Sequence, residues 1–195
     1  MREPEIRHAL LGYLKAHQRG SSSYLAVDEL NVCNGLSRVD LALVRDDTLA
    51  GYEIKSRVDS LKRLEGQLSG YTLVFDHLKI VTGVNHLTGV LGNIPTWCGV
   101  LLASHSRGAV DIELFRQSQN NPHRDSYAIA QFLWRNEALD VLTRHKVVKG
   151  VKSKPKPILW KRLAESLCLE TLASEVRKAL KQRPVEWRAG RKEAW

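Results

Sequence analysis

Two β-rich segments, "SRVDLALV" at 37–44 and "LAGYEIKS" at 49–56, are separated only by "RDDT". A connector that short between two strands demands an antiparallel hairpin. Side chains alternate faces along a strand. By that rule Asp40 shares a face with Ala42 and Val44, and Leu41 and Leu43 occupy the other. On the second strand Glu53 and Lys55 point one way, Tyr52 and Ile54 the other. The plain reading of an acid and a base on one side of a core strand is a solvated sheet face. The chemical reading is a site, because an aspartate among small and apolar neighbours is costly unless it is paired or metal-bound.

The segments around the hairpin set the fold class. "PEIRHALLGYLKAHQ" places Ile6, Leu10, Leu11 and Leu14 at helical spacing after Pro4. "RGSSS" at 19–23 breaks the chain, and "YLAVDELNV" reads as a strand. After the hairpin, Leu61, Leu64, Leu68 and Leu73 mark a helix that Asp59 or Ser60 can cap. "KIVTG" is a strand, "NHLTGVLGNIP" a helix, "WCGVLLAS" and "GAVDIELFRQ" strands. A polar stretch, "SQNNPHRD", then leads into helical patterns: "YAIAQFLWRNEALDVLTRHK", "ILWKRLAESL" and "LETLASEVRKALKQR". The expected architecture is an α/β domain over 1–120 and a basic helical extension over 121–195.

Charge is distributed unevenly. Of a net +9, residues 1–134 contribute nothing, with 14 Lys+Arg against 14 Asp+Glu; residues 135–195 carry 16 basic and 7 acidic side chains. A basic segment on a neutral body points to a polyanion, and nucleic acid is the commonest one. Lys146, Lys149, Lys152, Lys154 and Lys156 form the expected phosphate-contacting loop, with Arg177, Lys178, Lys181, Arg183 and Arg188 as a helical edge. The plain alternative is a solubilising charged surface. No run approaches the ~18 apolar residues of a membrane span, and the N-terminus has no apolar signal region. Three widely spaced cysteines, Cys33, Cys98 and Cys168, imply small buried hydrophobes in a reducing, cytoplasmic setting.

Paired across the hairpin, Asp40, Glu53 and Lys55 can converge. Two carboxylates with backbone oxygen and water suit Mg²⁺, which polarises phosphoryl oxygens and activates water; a nearby lysine can position that water. This spacing resembles the D…(D/E)-x-K signature of the PD-(D/E)XK nuclease superfamily. "RVD", "GYEIKS", and a helix holding Gln67 and Tyr71 resemble its RecB-like members with a Q-x-x-x-Y helix. The resemblance implies a restriction-endonuclease-like core: helix, three-strand meander, helix, strand. It implies a Mg²⁺- or Mn²⁺-dependent deoxyribonuclease with metal on Asp40, Glu53 and the Ile54 carbonyl, and Lys55 serving the water. An upstream acid would be Glu29, with Glu5 as the other candidate; Gln67 would orient Lys55 or touch a phosphate. DNA is the implied partner, with RNA and a homodimer both open.

The remaining features read plainly. Seven scattered histidines show no H-x-x-x-H pair for zinc. Trp134 and Trp160 fit helical cores, and Trp187 and Trp195 are freer to stack bases. The alternative to a nuclease is a catalytically silent nucleic-acid-binding or partner-docking module.

Overall fold

The computed structural model describes residues 1–17, 24–106 and 108–188. The expected break at 19–23, Trp195 and the side chain of Arg188 lie outside the described residues. The elements run α1 (Glu3–Ala16), β1 (Leu25–Val32), β2 (Ser37–Val44), β3 (Leu49–Lys55), α2 (Leu64–Tyr71), β4 (His77–Gly83), α3 (Val84–Asn93), β5 (Gly99–Ser106) and β6 (Ala109–Arg116). Four helices follow: α4 (Ser126–Ala130), α5 (Arg135–Arg144), α6 (Lys156–Ser166) and α7 (Leu169–Gln182).

One six-stranded mixed sheet has the order β1-β2-β3-β4-β5-β6. The first three strands form an antiparallel meander. Helices α2 and α3 then return the chain to make β3–β4 and β4–β5 parallel, as a parallel pair requires a crossover. Strand β6 closes the sheet antiparallel to β5.

Two apolar layers flank this sheet. On one face Ile6, Leu10 and Leu14 of α1 pack on Leu41, Leu43, Tyr52, Ile54 and Val81. On the other, one continuous core joins Val27, Ala42, Val44 and Ile80 to Leu64 and Tyr71 of α2 and to the C-terminal helices through Leu142, Leu159, Leu163 and Leu180. The expected extension therefore shares its core with the sheet. It is also tied to the hairpin turn, where the Arg177 Nε–H donates to the Asp46 carbonyl at 3.0 Å and Lys181 pairs with the Asp46 carboxylate.

Alternation along β1 and β2 breaks at opposing positions. Leu25 and Val27 face the larger core, but so do Leu30 and Val32; Val39 faces it, and so do Ala42 and Val44. Pairing runs from Asp28↔Leu41 straight to Leu30↔Val39, and Glu29 between them has φ 51°. A left-handed residue in a strand resets its phase, as in a bulge. Asp40 therefore does not follow the simple two-residue period that put it on the Ala42 face.

The expected helical run from Tyr127 to Lys146 is interrupted at Gln131–Trp134, where Trp134 is extended and opens α5. Trp134 is consequently 48% exposed, not core, whereas Trp160 is buried as expected. Among the cysteines only Cys98 is fully buried, and Cys168 is exposed. No helix among the described residues is long and apolar enough to cross a membrane.

Candidate functional site

Strand β3 and helix α2 bring Glu53, Lys55 and Gln67 together, but as a closed network, with Asp40 of β2 outside its hydrogen bonds. Strand β3 is buried along its whole length, so Glu53 and Lys55 enter the protein together, with side chains 2% and 7% exposed. Burying either charge alone would be severely unfavourable, which makes their pairing obligatory. Lys55 Nζ donates to Glu53 Oε1 at 2.6 Å and to Gln67 Oε1 at 2.8 Å. The Gln67 amide donates back to Glu53 Oε1 at 2.7 Å. The Tyr71 hydroxyl lies 2.8 Å from Glu53 Oε2 and 2.6 Å from the Arg38 carbonyl, with one proton to serve them. Burial and the Glu53 charge together push the Tyr71 phenol far up, so it stays a neutral donor.

Asp40 is held from the other layer. Its Oδ2 accepts the Ile54 N–H at 2.6 Å, just beyond the last paired residues Leu41↔Tyr52. Arg7 of α1 stands 3.8 Å from Oδ1, donates to the Asp40 carbonyl at 2.6 Å, and also pairs with Glu3 and Asp28. Burial first, then repulsion from Glu53, push the Asp40 carboxyl up to about 7, against the opposing pull of the Ile54 N–H and Arg7. The two acids thus sense each other electrostatically while each is gripped by a different helix.

The other expected members lie elsewhere. Glu29 turns outward to Arg38 at 3.1 Å. Glu5 caps its own helix by accepting the Arg2 N–H at 2.6 Å. Asp59 accepts the Ser56 N–H at 2.7 Å in the turn after β3, leaving Ser60 to receive Lys62 N–H. Three of the four carboxylate oxygens of Asp40 and Glu53 already accept protein hydrogen bonds, and the fourth faces Arg7. Among the described residues no group of three or more His, Cys, Asp or Glu is arranged to hold a metal ion. A Mg²⁺ or Mn²⁺ ion on Asp40 and Glu53 would have to displace the Lys55, Gln67 and Tyr71 donors from Glu53 and the Ile54 N–H from Asp40.

The lysine loop has the opposite character. Lys146, Lys149, Lys152, Lys154 and Lys156 are all exposed. Among the described residues, none of these five takes part in an ion pair; the basic residues that do are Arg144, Lys161, Arg177, Lys178, Lys181 and Arg183 in the same helices. The loop is nonetheless ordered. Val151 is buried beneath it, Lys146 and Gly150 supply left-handed turns at φ 60° and 82°, and the Val147 N–H donates to Leu142 at 2.9 Å. The Arg135 guanidinium donates to the carbonyls of Lys152 and Lys154. Nothing in the sequence singled out Arg135 for this task.

The expected helical edge divides. Arg177 and Arg183 are buried and engaged within the protein, not presented to phosphate. Arg183 forms a two-pronged pair with Glu137 and lies 4.1 Å and 4.4 Å from the ring centroids of Trp134 and Trp187. Trp187 is therefore an intramolecular partner of Arg183.

The family model of bacteriophage P4 protein cII matches residues 1–188. The chain belongs to that family. Protein cII of Enterobacteria phage P4 is 27% identical over 177 residues, which cover 90% of this chain and 62% of the relative. The chain thus spans less than two thirds of that relative's length. No solved structure matches it.

Membership in the cII family corrects the expectation of a PD-(D/E)XK nuclease. The match takes in Asp40, Glu53, Lys55, Gln67 and Tyr71, so every residue that carried the resemblance belongs to a cII-type chain. The deoxyribonuclease activity, and the description of the chain as a metal-dependent hydrolase, are overturned with it. The physical reason for the misreading is that an acid and a lysine two residues apart on a buried strand satisfy a structural ion pair as well as they satisfy a catalytic motif.

Proposed function

We propose that this chain is a phage regulatory protein that binds nucleic acid through the 146–156 loop, with the Asp40–Glu53–Lys55 cluster serving as an internal brace. The observation that carries this reading is the contrast within one helical segment. Most nearby cations, among them Arg144, Lys178 and Arg183, are paired with acids, while five ammoniums on a pinned loop carry no counter-charge among the described residues. Leaving like charges clustered is unfavourable, and a polyanion relieves it by releasing its own counterions. Membership in a phage protein family supports a setting in which DNA is at hand, with RNA as a second substrate of the same charge. Binding without cleavage suits a regulator.

The test is fluorescence anisotropy with a labelled DNA duplex at low salt. Changing all five lysines to glutamine is expected to weaken binding at least tenfold with only a small change in melting temperature, because these ammoniums make no ion pair among the described residues and the contact of Lys156 with the Trp160 ring is worth about 1 kcal/mol. Unchanged affinity would overturn the reading and favour docking of a protein partner.

A further inference from the structure

Trp134 is an unusual residue to leave 48% exposed, and its surroundings hold it rigidly in place. Its N–H donates to Glu137 at 2.7 Å and its carbonyl accepts from Ala138 at 2.8 Å, so the backbone is fixed at the start of α5. The Arg183 guanidinium covers the indole at 4.1 Å, and Trp187 meets it edge-on at 6.5 Å and 90°. Arg183 cannot drift, since it is bonded to Glu137 and to the Phe132 carbonyl. A large aromatic surface is thus presented to solvent in one orientation, and little ordering entropy remains to oppose binding.

The residues flanking this indole both lead to the lysine loop. Arg135 holds the carbonyls of Lys152 and Lys154. On the other side, the Leu133 carbonyl accepts the Trp160 indole N–H at 3.0 Å, and Lys156 Nζ lies 5.3 Å from the Trp160 ring centroid. The indole is thus connected to the loop through its two neighbours in sequence, and an exposed aromatic ring joined in this way to exposed ammoniums matches the two parts of a nucleotide: a base to stack and a phosphate to neutralise.

We infer that Trp134 is a stacking platform for an unpaired nucleobase, which makes single-stranded nucleic acid the preferred ligand of the lysine loop. The inference rests on the nucleic-acid reading above and sharpens it. A duplex keeps its bases stacked on one another and offers none to the indole, so Trp134 discriminates where the lysines do not.

The experiment compares labelled dT12, rU12 and a 12-base-pair DNA duplex on the full chain, on Trp134→Leu and on Trp134→Phe. Anisotropy reads affinity, and intrinsic tryptophan fluorescence reads stacking. Trp134→Leu is expected to lose roughly tenfold in affinity for the single strands, within the range for removal of one base–aromatic stack. Duplex affinity stays within about twofold of wild type, because phosphate contacts are untouched. Trp134→Phe keeps a ring over Arg183 and most of the affinity, but loses the fluorescence quenching that binding produces in wild type. That quenching loss carries the test if the leucine variant fails to fold. Stronger loss on dT12 than on rU12, or the reverse, tells DNA from RNA as the natural source of the base. Equal losses on duplex and single strand, or quenching unchanged in Trp134→Phe, overturn the platform and leave the lysine loop standing. Failure of the wild type to bind any of the three probes overturns both.

Discussion

Replacing Lys55 by methionine removes one ammonium from the interior and leaves its partner behind. The Glu53 carboxylate, 2% exposed, would keep only the Gln67 and Tyr71 donors. Breaking a buried ion pair from one side costs about 3–5 kcal/mol. For a chain of 195 residues each kcal/mol moves the melting temperature by about 2–4 °C. Lys55→Met is therefore expected to melt roughly 6–20 °C below wild type, Glu53→Gln to lose a similar amount, and the double variant to recover to within about 1 kcal/mol, because a shape-matched neutral pair leaves no orphan charge. Chemical denaturation followed by circular dichroism, analysed as a double-mutant cycle, gives a coupling of about 5–9 kcal/mol on this reasoning. A Lys55→Met protein as stable as wild type, or single losses that simply add in the double variant, would refute the brace.

Other outcomes follow from the same network and core. Asp40 has a folded-state carboxyl raised to about 7 from 3.8, so the folded protein holds a proton there that the unfolded chain has released. The contribution of Asp40 to stability should be greatest below the unfolded value and fall, by on the order of 2–4 kcal/mol, as pH rises from about 4 to 7. Asp40→Asn, which keeps an acceptor for the Ile54 N–H, should flatten that part of the pH–stability curve; an equally steep curve in the variant would count against Asp40 as its source. Gly51→Ala would place a Cβ 2.8 Å from the fully buried Phe75 ring, and a thermal melt should show a loss of about 1–3 kcal/mol for that overpacking.

Much of the fold could be read from residue patterns, and the reasons it could not be read throughout are local. Leu10 and Leu14 announced α1, and the "RDDT" connector announced the hairpin, because helical period and short-turn chemistry are sequence-local signals. Glu29 adopts φ 51° with no glycine or asparagine to advertise it, and the phase of β1 and β2 shifts there unseen. The cluster's membership was legible, since Glu53, Lys55, Gln67 and Tyr71 do meet. Its purpose was not, because spacing does not show whether carboxylate oxygens face solvent or protein donors. Arg7 reaches Asp40 from 33 residues away, and Arg183 reaches Glu137 from 46, so no short-range pattern marks either contact. Trp134 looked like core because it sits at the end of an apolar run; the chain's turn at 131–134 puts it outside.

The most direct test of polyanion binding is the salt dependence of duplex affinity, measured by anisotropy for wild type and for the variant with glutamine at positions 146, 149, 152, 154 and 156. Each phosphate contact contributes about 0.9 to the slope of log affinity against log salt, so loss of all five should flatten the slope by up to about 4.5. Superimposable lines for the two proteins would contradict the assignment of this loop as the nucleic-acid contact.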